Sequence, residues 1–299
     1  MAKNNKKRST IGIVLRVLLA IFLLLLLLCA VKTCRDCRYP PRTITIVDET
    51  GYLPHRDDNI PDVDPPYKDD DLDSLSQGVS LEAFFPPIGN QEKYGTCVAW
   101  AAGYNLKTAL NAIENHWTTS QLADPANQTS PKDLWLGIAA SDKGPQCAGT
   151  SFEPAFEVLR TQGASNMKDV PYKNLGTCGG TSPGDSTNRI VSYNRVNFTK
   201  VEQIKAYLND TIPLVVSAHL GDDFMSWNSD QVIKSDTRNK PNMQHAYHAM
   251  VISGYDDSKH AFRLRNSWGT RWGDKGSIWV DYDYFINDFC MDVYVASNH

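Results

Sequence analysis

Residues 90–101 read NQEKYGTCVAWA and mark the start of a long helix. From Cys97 to about Ile113, apolar residues recur at helical spacing and alanine is abundant, which predicts a helix that begins at the cysteine. Gly95 permits a tight turn before it. The first turn of a helix favours negative charge, and the thiolate is the nucleophilic form of cysteine. Cys97 is therefore a candidate nucleophile, with a buried structural cysteine as an equal alternative on this segment alone.

A histidine and an asparagine lie at the ends of two predicted strands further along the chain. His248 begins the string HAMVISGY, and Asn266 ends the strand that precedes SWGTRWG. Adjacent antiparallel strands can bring the two side chains together, so that the amide orients the imidazole and selects its tautomer. His248 is therefore the candidate base and Asn266 its orienting residue. His245 is predicted to be a surface residue, because it faces away if the strand begins near Tyr247.

The order of the predicted elements indicates an α+β fold of two packed lobes, because helices come first and strands follow. Helices are predicted at 97–113, 131–140, 153–161 and 201–209. Strands are predicted at 214–218, 249–255, 262–265 and 277–280, with glycine and aspartate turns between them. The candidate nucleophile would then lie on a helix and the candidate base on a strand.

These segments resemble the papain-like cysteine peptidases over roughly residues 80–295. The resemblance rests on the order Cys97, His248, Asn266 and on the string Asn-Ser-Trp-Gly that begins at the asparagine. It implies a papain-like two-lobe α+β fold, with the nucleophile helix in a helical N-terminal lobe and an antiparallel β C-terminal lobe. It also implies that Gln91 donates to the oxyanion hole beside the backbone N–H of Cys97.

The residues that would shape the substrate cleft depart from the family's usual pattern. Where the family usually has two glycines, this chain has Gly149 followed by Thr150, and Val98 replaces an aromatic residue after the nucleophile. Trp268 is implied to shield the histidine–asparagine hydrogen bond from water. By resemblance, Gly149, Thr150 and Trp268 are the substrate-binding candidates. The β-branched Thr150 is expected to narrow the choice of substrate residue.

The resemblance also implies one disulfide bond. Cys147 and Cys178 each match a family cysteine that normally pairs with another partner, and Tyr94 stands where one of those partners would be. In an oxidising compartment, two such thiols are expected to pair with each other. The alternative is a pair of reduced, buried cysteines.

The N-terminal residues predict a membrane anchor. Residues 1–10 contain a basic cluster, and residues 11–31 are almost wholly apolar, interrupted only by Arg16. About 20 apolar residues suffice for a helix to cross a bilayer, and the basic tail is expected to stay in the cytoplasm. The peptidase-like domain, residues 80–299, would then be extracytoplasmic, in a periplasm or outside the cell. A cleaved signal peptide is the alternative interpretation.

Residues 32–79 are predicted to be a linker between the anchor and the folded domain. They are rich in proline and aspartate between Arg38 and Gln77, a composition that buries little apolar surface. A solvated spacer is the favoured interpretation. An inhibitory prosegment is the alternative, and the lack of helical apolar periodicity argues against it. The pair Cys34 and Cys37 is interpreted as a juxtamembrane disulfide or an intermolecular link.

Composition and spacing also exclude some classes of function. The formal net charge is −4, so no basic surplus indicates a nucleic-acid partner. No cofactor is expected, and no metal, because neither a second Cys pair nor suitably spaced histidines complete a site with Cys34 and Cys37. The sequence predicts a membrane-anchored cysteine peptidase that cleaves polypeptides through a thioester acyl-enzyme.

Two alternatives to the peptidase remain. One is a catalytically silent binding module of the same fold, which would have no need to keep Gln91, Cys97, His248 and Asn266 together. The other is a thiol acyltransferase of the transglutaminase type. Such enzymes use the same Cys-His chemistry but usually have an acidic third member, and Asn266 argues against that.

Overall fold

The computed structural model describes residues 50–54, 62–175, 180–198, 200–237 and 246–299. All of them belong to one unit of the chain, Ile44–His299. The predicted anchor at 11–31, the Cys34–Cys37 pair, Cys178 and His245 lie outside the described residues. Within the described ranges, no helix has both the length and the apolar character that crossing a membrane requires.

The long helix predicted to begin at Cys97 runs through residues 97–115. Ala99–Lys107 has π-helical hydrogen bonding and is buried throughout, and Thr108–Asn115 continues as an α-helix. The helix ends where His116 adopts a left-handed conformation with φ 52°. Small residues at 99 and 101–103 let neighbouring elements approach closely, and the larger side chains of Trp100, Tyr104 and Leu106 are buried as well.

The other helices that the structure describes are short. The α-helices are Asp69–Leu72, Thr119–Ala123, Pro131–Gly137, Phe152–Thr161, Val201–Asn209, Asp222–Met225 and Tyr282–Tyr284. The 3-10 helices are Glu82–Phe84, Ala140–Lys143 and Pro145–Cys147, and Phe285–Phe289 is a π-helical turn. The helices predicted at 131–140, 153–161 and 201–209 are therefore present, with small shifts of their ends.

The described strands form one mixed sheet. In chain order they are β1 Asp62–Val63, β2 Gly78–Ser80, β3 Ser192–Val196, β4 Leu214–Leu220, β5 Val232–Ile233, β6 Ala246–Asp256, β7 Ala261–Arg265, β8 Ser277–Asp281 and β9 Cys290–Ser297. Their order across the sheet is β1-β3-β9-β4-β6-β7-β8-β5, and β2 pairs with β6 beside this path. The pairs β1–β3 and β5–β8 are parallel, and the other pairs are antiparallel.

The centre of this sheet positions the candidate base and its orienting residue. β4 and β6 pair Ala218 with His248. β6 and β7 pair Val251 with Arg265, the residue before Asn266. The long helix packs against both β4 and β6, and its apolar residues belong to the same core cluster as theirs. The candidate nucleophile and base therefore lie on two elements that share one core.

The α+β class is confirmed, and most of the second-half strands were predictable. The strands predicted at 214–218, 249–255, 262–265 and 277–280 lie within β4, β6, β7 and β8. β3 and β9 were missed, because their sequences SYNRV and CMDVYVAS carry charged residues within the strand. They are strands because each is paired to neighbours of the sheet, which is a tertiary effect.

The structure differs from the prediction of a solvated spacer at residues 32–79. Residue Tyr52 is only 2% exposed and belongs to the core cluster. β1 pairs with β3, and β2 pairs with β6. Tyr67 packs edge-on against Tyr207, with ring centroids 5.1 Å apart. Proline and aspartate dominate the composition of this range, but a few aromatic side chains provide the apolar area that holds its described parts on the fold.

Candidate active site

His248 and Asn266 are joined by a hydrogen bond in the interior of the protein. His248 Nε2 lies 2.7 Å from Asn266 Oδ1, and both side chains are buried. An amide oxygen can only accept, so Nε2 carries the proton and Nδ1 has a free lone pair. Nδ1 is buried and makes no hydrogen bond within the described part of the chain. The imidazole is thus held in the tautomer that can accept a proton at Nδ1.

Trp268 lies over this hydrogen-bonded pair. Its ring centroid is 4.5 Å from that of His248, with the planes tilted by 31°. Trp268 also packs edge-on against Trp272, with centroids 5.2 Å apart, and against Phe224 at 6.0 Å. An apolar cover of this kind keeps water from competing for the His248–Asn266 hydrogen bond, which is the role the resemblance implied for Trp268.

Cys97 begins the long helix and is fully buried. Burial raises the pKa of its thiol to about 12, although the backbone N–H groups of Ala249 and Val98 and its own N–H act in the opposite direction. Ala249 follows His248 on β6, so the thiol lies beside the strand that carries the candidate base. Burial also lowers the pKa of His248 to about 4, and its hydrogen bond to Asn266 opposes this only in part. Burial therefore disfavours the charged form of both groups.

Hydrogen bonds of its backbone N–H and of both polar atoms of its side-chain amide hold Gln91 in place. Its backbone N–H donates to the Ser267 carbonyl at 2.8 Å, and its Oε1 accepts from Ser267 Oγ at 2.6 Å. Its Nε2 donates to the Thr50 and Tyr94 carbonyl oxygens, both at 2.9 Å. The Gln91 side-chain amide, which is implied to stabilise an oxyanion, therefore already donates hydrogen bonds to two carbonyl oxygens. One of them belongs to Thr50, which is 41 residues earlier in the chain.

The implied substrate-binding residues Gly149 and Thr150 contact that same distant segment. The Thr150 N–H donates to the Gly51 carbonyl at 2.9 Å, and the Leu53 N–H donates to the Thr150 carbonyl at 2.9 Å. A Cβ on Gly149 would overlap the Gly51 carbonyl oxygen. The structure thus brings Gln91, Gly149 and Thr150 together through their contacts with residues 50–53.

Asp292 and Ser217 also lie near residues 50–53, although neither belongs to a motif in the sequence. The Asp292 carboxylate accepts from the hydroxyls of Tyr52 and Ser217, in each case at 3.3 Å. Burial raises the pKa of Asp292. Asp292 and Ser217 lie on the paired strands β9 and β4. In the sequence, Asp292 could have been noticed as a charged residue directly before the apolar run VYVA at 293–296.

The cysteines are only partly described. Cys147 is disulfide-bonded, and Cys97 and Cys290 are free. The predicted partner Cys178 lies outside the described residues. The Cys147–Cys178 pairing therefore stays a prediction.

The sequence matches a family model and several curated proteins. A model described as papain family cysteine protease matches residues 78–291. The chain is 24% identical over 201 residues to gamete and mating-type specific protein A of Dictyostelium discoideum, covering 66% of this chain and 41% of that protein. It is 31% identical over 207 residues to peptidase 1 of Dermatophagoides pteronyssinus, covering 67% and 57%. The chain spans about half the length of these curated relatives.

Solved structures share the fold. Xylellain, a cysteine protease from Xylella fastidiosa, superposes with a TM-score of 0.69 at 22% identity, covering 87% of this chain and 99% of that chain. The bromelain protease from Ananas comosus, in complex with the E64 inhibitor, gives a TM-score of 0.60 at 23% identity, covering 75% and 100%. The two-lobe α+β fold that the sequence motifs implied is therefore confirmed.

Proposed function

Because the chain belongs to the papain family of cysteine proteases, we propose that it is a thiol peptidase with Cys97 as nucleophile, His248 as base and Asn266 as orienting residue. The observation that carries this proposal is the 2.7 Å contact between His248 Nε2 and Asn266 Oδ1. It leaves Nδ1 as the proton acceptor, on the strand that also presents the Ala249 N–H to the thiol.

The proposed reaction has two halves that share the same proton carrier. His248 Nδ1 takes the thiol proton of Cys97, and the sulfur attacks the carbonyl carbon of a peptide bond. Gln91 Nε2 and the backbone N–H of Cys97 would stabilise the oxyanion. The imidazolium then gives its proton to the departing amine, which leaves a thioester. Water, deprotonated by His248, attacks the thioester, and the proton returns to the sulfur as the acid product leaves.

The test is cleavage of a peptide library by the purified full-length chain, with Cys97→Ala as the matched inactive variant. New termini are expected with the parent chain and not with Cys97→Ala. Labelling of Cys97 by an epoxide or vinyl-sulfone thiol inhibitor should accompany the cleavage, whereas a chain that neither reacts with the inhibitor nor cleaves any peptide would be a silent binding module. Products that carry an added amine in place of water would indicate an acyltransferase.

Membrane anchoring is part of the proposal and rests on the sequence. Residues 11–31 are almost wholly apolar and follow a basic cluster, which favours a retained helix with its N-terminus in the cytoplasm. The peptidase domain would then lie outside the cytoplasm. Alkaline extraction of membranes should leave the chain in the pellet, and protease added to intact cells or spheroplasts should reach it. A soluble chain that lacks residues before about Val31 would identify a cleaved signal peptide.

A further inference from the structure

A polar cavity of about 420 Å³ lies at the opposite end of the long helix from Cys97. Its wall combines the last turns of this helix with residues that precede β3 and a residue that follows β9. At about 1.5 Å of rise per residue, ten residues put Lys107, which lines the cavity, roughly 15 Å along the helix from Cys97. The cavity is therefore separate from the candidate active site, and a ligand in it leaves the thiol accessible.

The charges on the cavity wall cancel. Lys107 and Arg189 are cationic, Glu114 and Asp185 are anionic, and the other lining residues carry no charge. Asparagine and glutamine make up nearly half of the lining. A side-chain amide both donates and accepts hydrogen bonds, as a hydroxyl group does. The wall therefore matches an uncharged ligand with several hydroxyl groups better than it matches an anion or a cation.

Four side chains, here called the floor of the cavity, are joined by hydrogen bonds: Lys107, Asn111, Asn188 and Asn298. Asn111 Oδ1 accepts from Lys107 Nζ and, at 3.2 Å, from Asn298 Nδ2. Asn111 Nδ2 donates to Asn188 Oδ1 at 2.9 Å, and Asn188 Nδ2 donates to the Ala164 carbonyl at 2.7 Å. Because each amide is oriented by its neighbours, the floor is preorganised for a ligand.

Two groups of the floor are buried and have capacity for further hydrogen bonds. Lys107 is 2% exposed, and among the described residues its ammonium group, with three hydrogens, has one hydrogen-bond partner, Asn111. Burial lowers the pKa of Lys107 to about 8, and the charges of Glu114 and Asp185 oppose this. Asn298 Oδ1 is buried and accepts no hydrogen bond within the described ranges.

This donor and this acceptor lie side by side, because Lys107 and Asn298 both donate to Asn111 Oδ1. Buried polar groups are normally paired, so a ligand that pairs them is favoured. Two neighbouring hydroxyl groups can do this, since one accepts from the Lys107 ammonium and the other donates to Asn298 Oδ1.

Trp117 adds an apolar surface to the cavity. It follows His116, whose left-handed conformation ends the helix, and it is half-buried among the lining residues. An indole ring is a large, rigid apolar surface on which the C–H face of a sugar ring can pack. Sites for small ligands usually combine such a surface with a few precisely placed polar groups.

We propose that this cavity binds a neutral saccharide, with hydroxyl groups paired to Lys107 and Asn298 and the C–H face of the ring on Trp117. The recognised group is an uncharged pyranose ring, either as a free sugar or at the end of a glycan. The site gives the chain a means of holding a carbohydrate while its candidate active site stays open to a polypeptide.

The experiment is saturation-transfer difference NMR on the full-length chain. The probes are glucose, galactose, mannose and N-acetylglucosamine, each as the free sugar and as the methyl glycoside. At least one should bind with a Kd on the order of 1 mM, as expected for a ligand of about 12 non-hydrogen atoms. Binding of the methyl glycoside as well as the free sugar would identify the ring at the end of a glycan as the ligand. Binding of the free sugar alone would identify the free sugar.

Three cavity variants are compared with the parent chain: Lys107→Met, Asn298→Ala and Trp117→Ala. Each should raise the Kd of the bound sugar about tenfold or more. Asn287→Ala is the matched control, because it removes an exposed amide outside the cavity, and it should keep the parent Kd. Thermal unfolding by circular dichroism identifies a variant that does not fold. If Lys107→Met is such a variant, Asn298→Ala and Trp117→Ala decide the question.

Two results would overturn the inference. One is the absence of saturation transfer to every probe at 10 mM, or an equal Kd in the parent and in all folded cavity variants. The other is binding of the zwitterion alanine without binding of any sugar, because the cavity would then recognise paired charges instead of hydroxyl groups.

Discussion

The Tyr52 hydroxyl donates a hydrogen bond to Asp292 Oδ2 across 3.3 Å, so a half-buried carboxyl group lies at the end of the space that this tyrosine fills. Ser217 on the neighbouring strand donates to the same oxygen. The Phe152 ring lies beside Tyr52, with ring centroids 5.6 Å apart. A substrate side chain that took the place of Tyr52 would meet a carboxyl group that is already partly desolvated.

We therefore expect Asp292 to select substrate side chains that carry a hydrogen-bond donor or a positive charge. Asp292→Leu should lower kcat/KM for peptides with Arg, Lys or Tyr at the selected position by about 10- to 100-fold relative to Leu peptides. Asp283→Leu, at an exposed aspartate, is the control and should keep the parent ranking. An unchanged ranking in Asp292→Leu would mean that this space does not receive the substrate.

Removal of the Asn266 amide should weaken catalysis without abolishing it. Asn266→Ala leaves His248 able to accept the thiol proton, but the ring is no longer held in one tautomer, since its Nε2 loses the 2.7 Å contact. The loss of an orienting hydrogen-bond partner usually costs about 10- to 100-fold in activity. The measurement is kcat on a fluorogenic peptide beside Cys97→Ala, which should retain no more than about a thousandth of the parent rate. Equal losses in both variants would contradict a purely orienting role for Asn266.

Burial of His248 should make the protein less stable in mild acid. Its pKa is lowered from 6.5 to about 4 in the folded state, so below pH 6.5 the unfolded chain binds a proton that the folded chain does not. The free energy of unfolding should therefore fall as the pH drops from 6.5 to 4, by up to about 3 kcal/mol from this residue. Above pH 6.5 the His248 ring is neutral in both the folded and the unfolded state, so this residue does not make the stability depend on pH there.

The test of this pH dependence is urea unfolding at pH 7, 5 and 4 for the parent chain and for His248→Gln. Carboxyl groups that titrate in the same range affect both chains alike, so the difference between them isolates the histidine. His248→Gln should lose less stability than the parent between pH 6.5 and 4. Parallel curves would show that His248 takes up its proton in the folded state as readily as in the unfolded state.

The predicted disulfide between Cys147 and Cys178 can be tested by mass spectrometry of a non-reduced digest. A linked peptide containing both cysteines is expected, since Cys147 is disulfide-bonded and Cys97 and Cys290 are free. The bond would close a loop of about 30 residues, which corresponds to roughly 3–4 kcal/mol in the chain-entropy model. Cys178→Ser should lower the stability by that order, whereas Cys290→Ser, at a free cysteine, should not. A linked peptide between Cys147 and any other cysteine would refute the pairing.

Much of the candidate site could be read from the sequence because its parts have local signatures. A helix period that begins at Cys97, a β run that begins at His248 and the Asn-Ser-Trp-Gly string at Asn266 each lie within a few residues. The chemistry of these three side chains then predicts a nucleophile, a base and an orienting amide, respectively. The structure places His248 and Asn266 in contact and lays Trp268 over them, as these local patterns and the resemblance indicated.

The placement of residues 50–54 against Gln91, Thr150 and Tyr247 was decided only by the tertiary structure. The composition of residues 32–79 predicted a solvated spacer, whereas residues 50–54 pack on the fold as an extended chain. Their contacts are made by backbone N–H and carbonyl groups, which every residue carries, so no sequence pattern distinguishes them. Asp292 was missed for a related reason. An aspartate within a strand becomes significant only when pairing of β9 with β4 places it, half-buried, beside Ser217 and Tyr52.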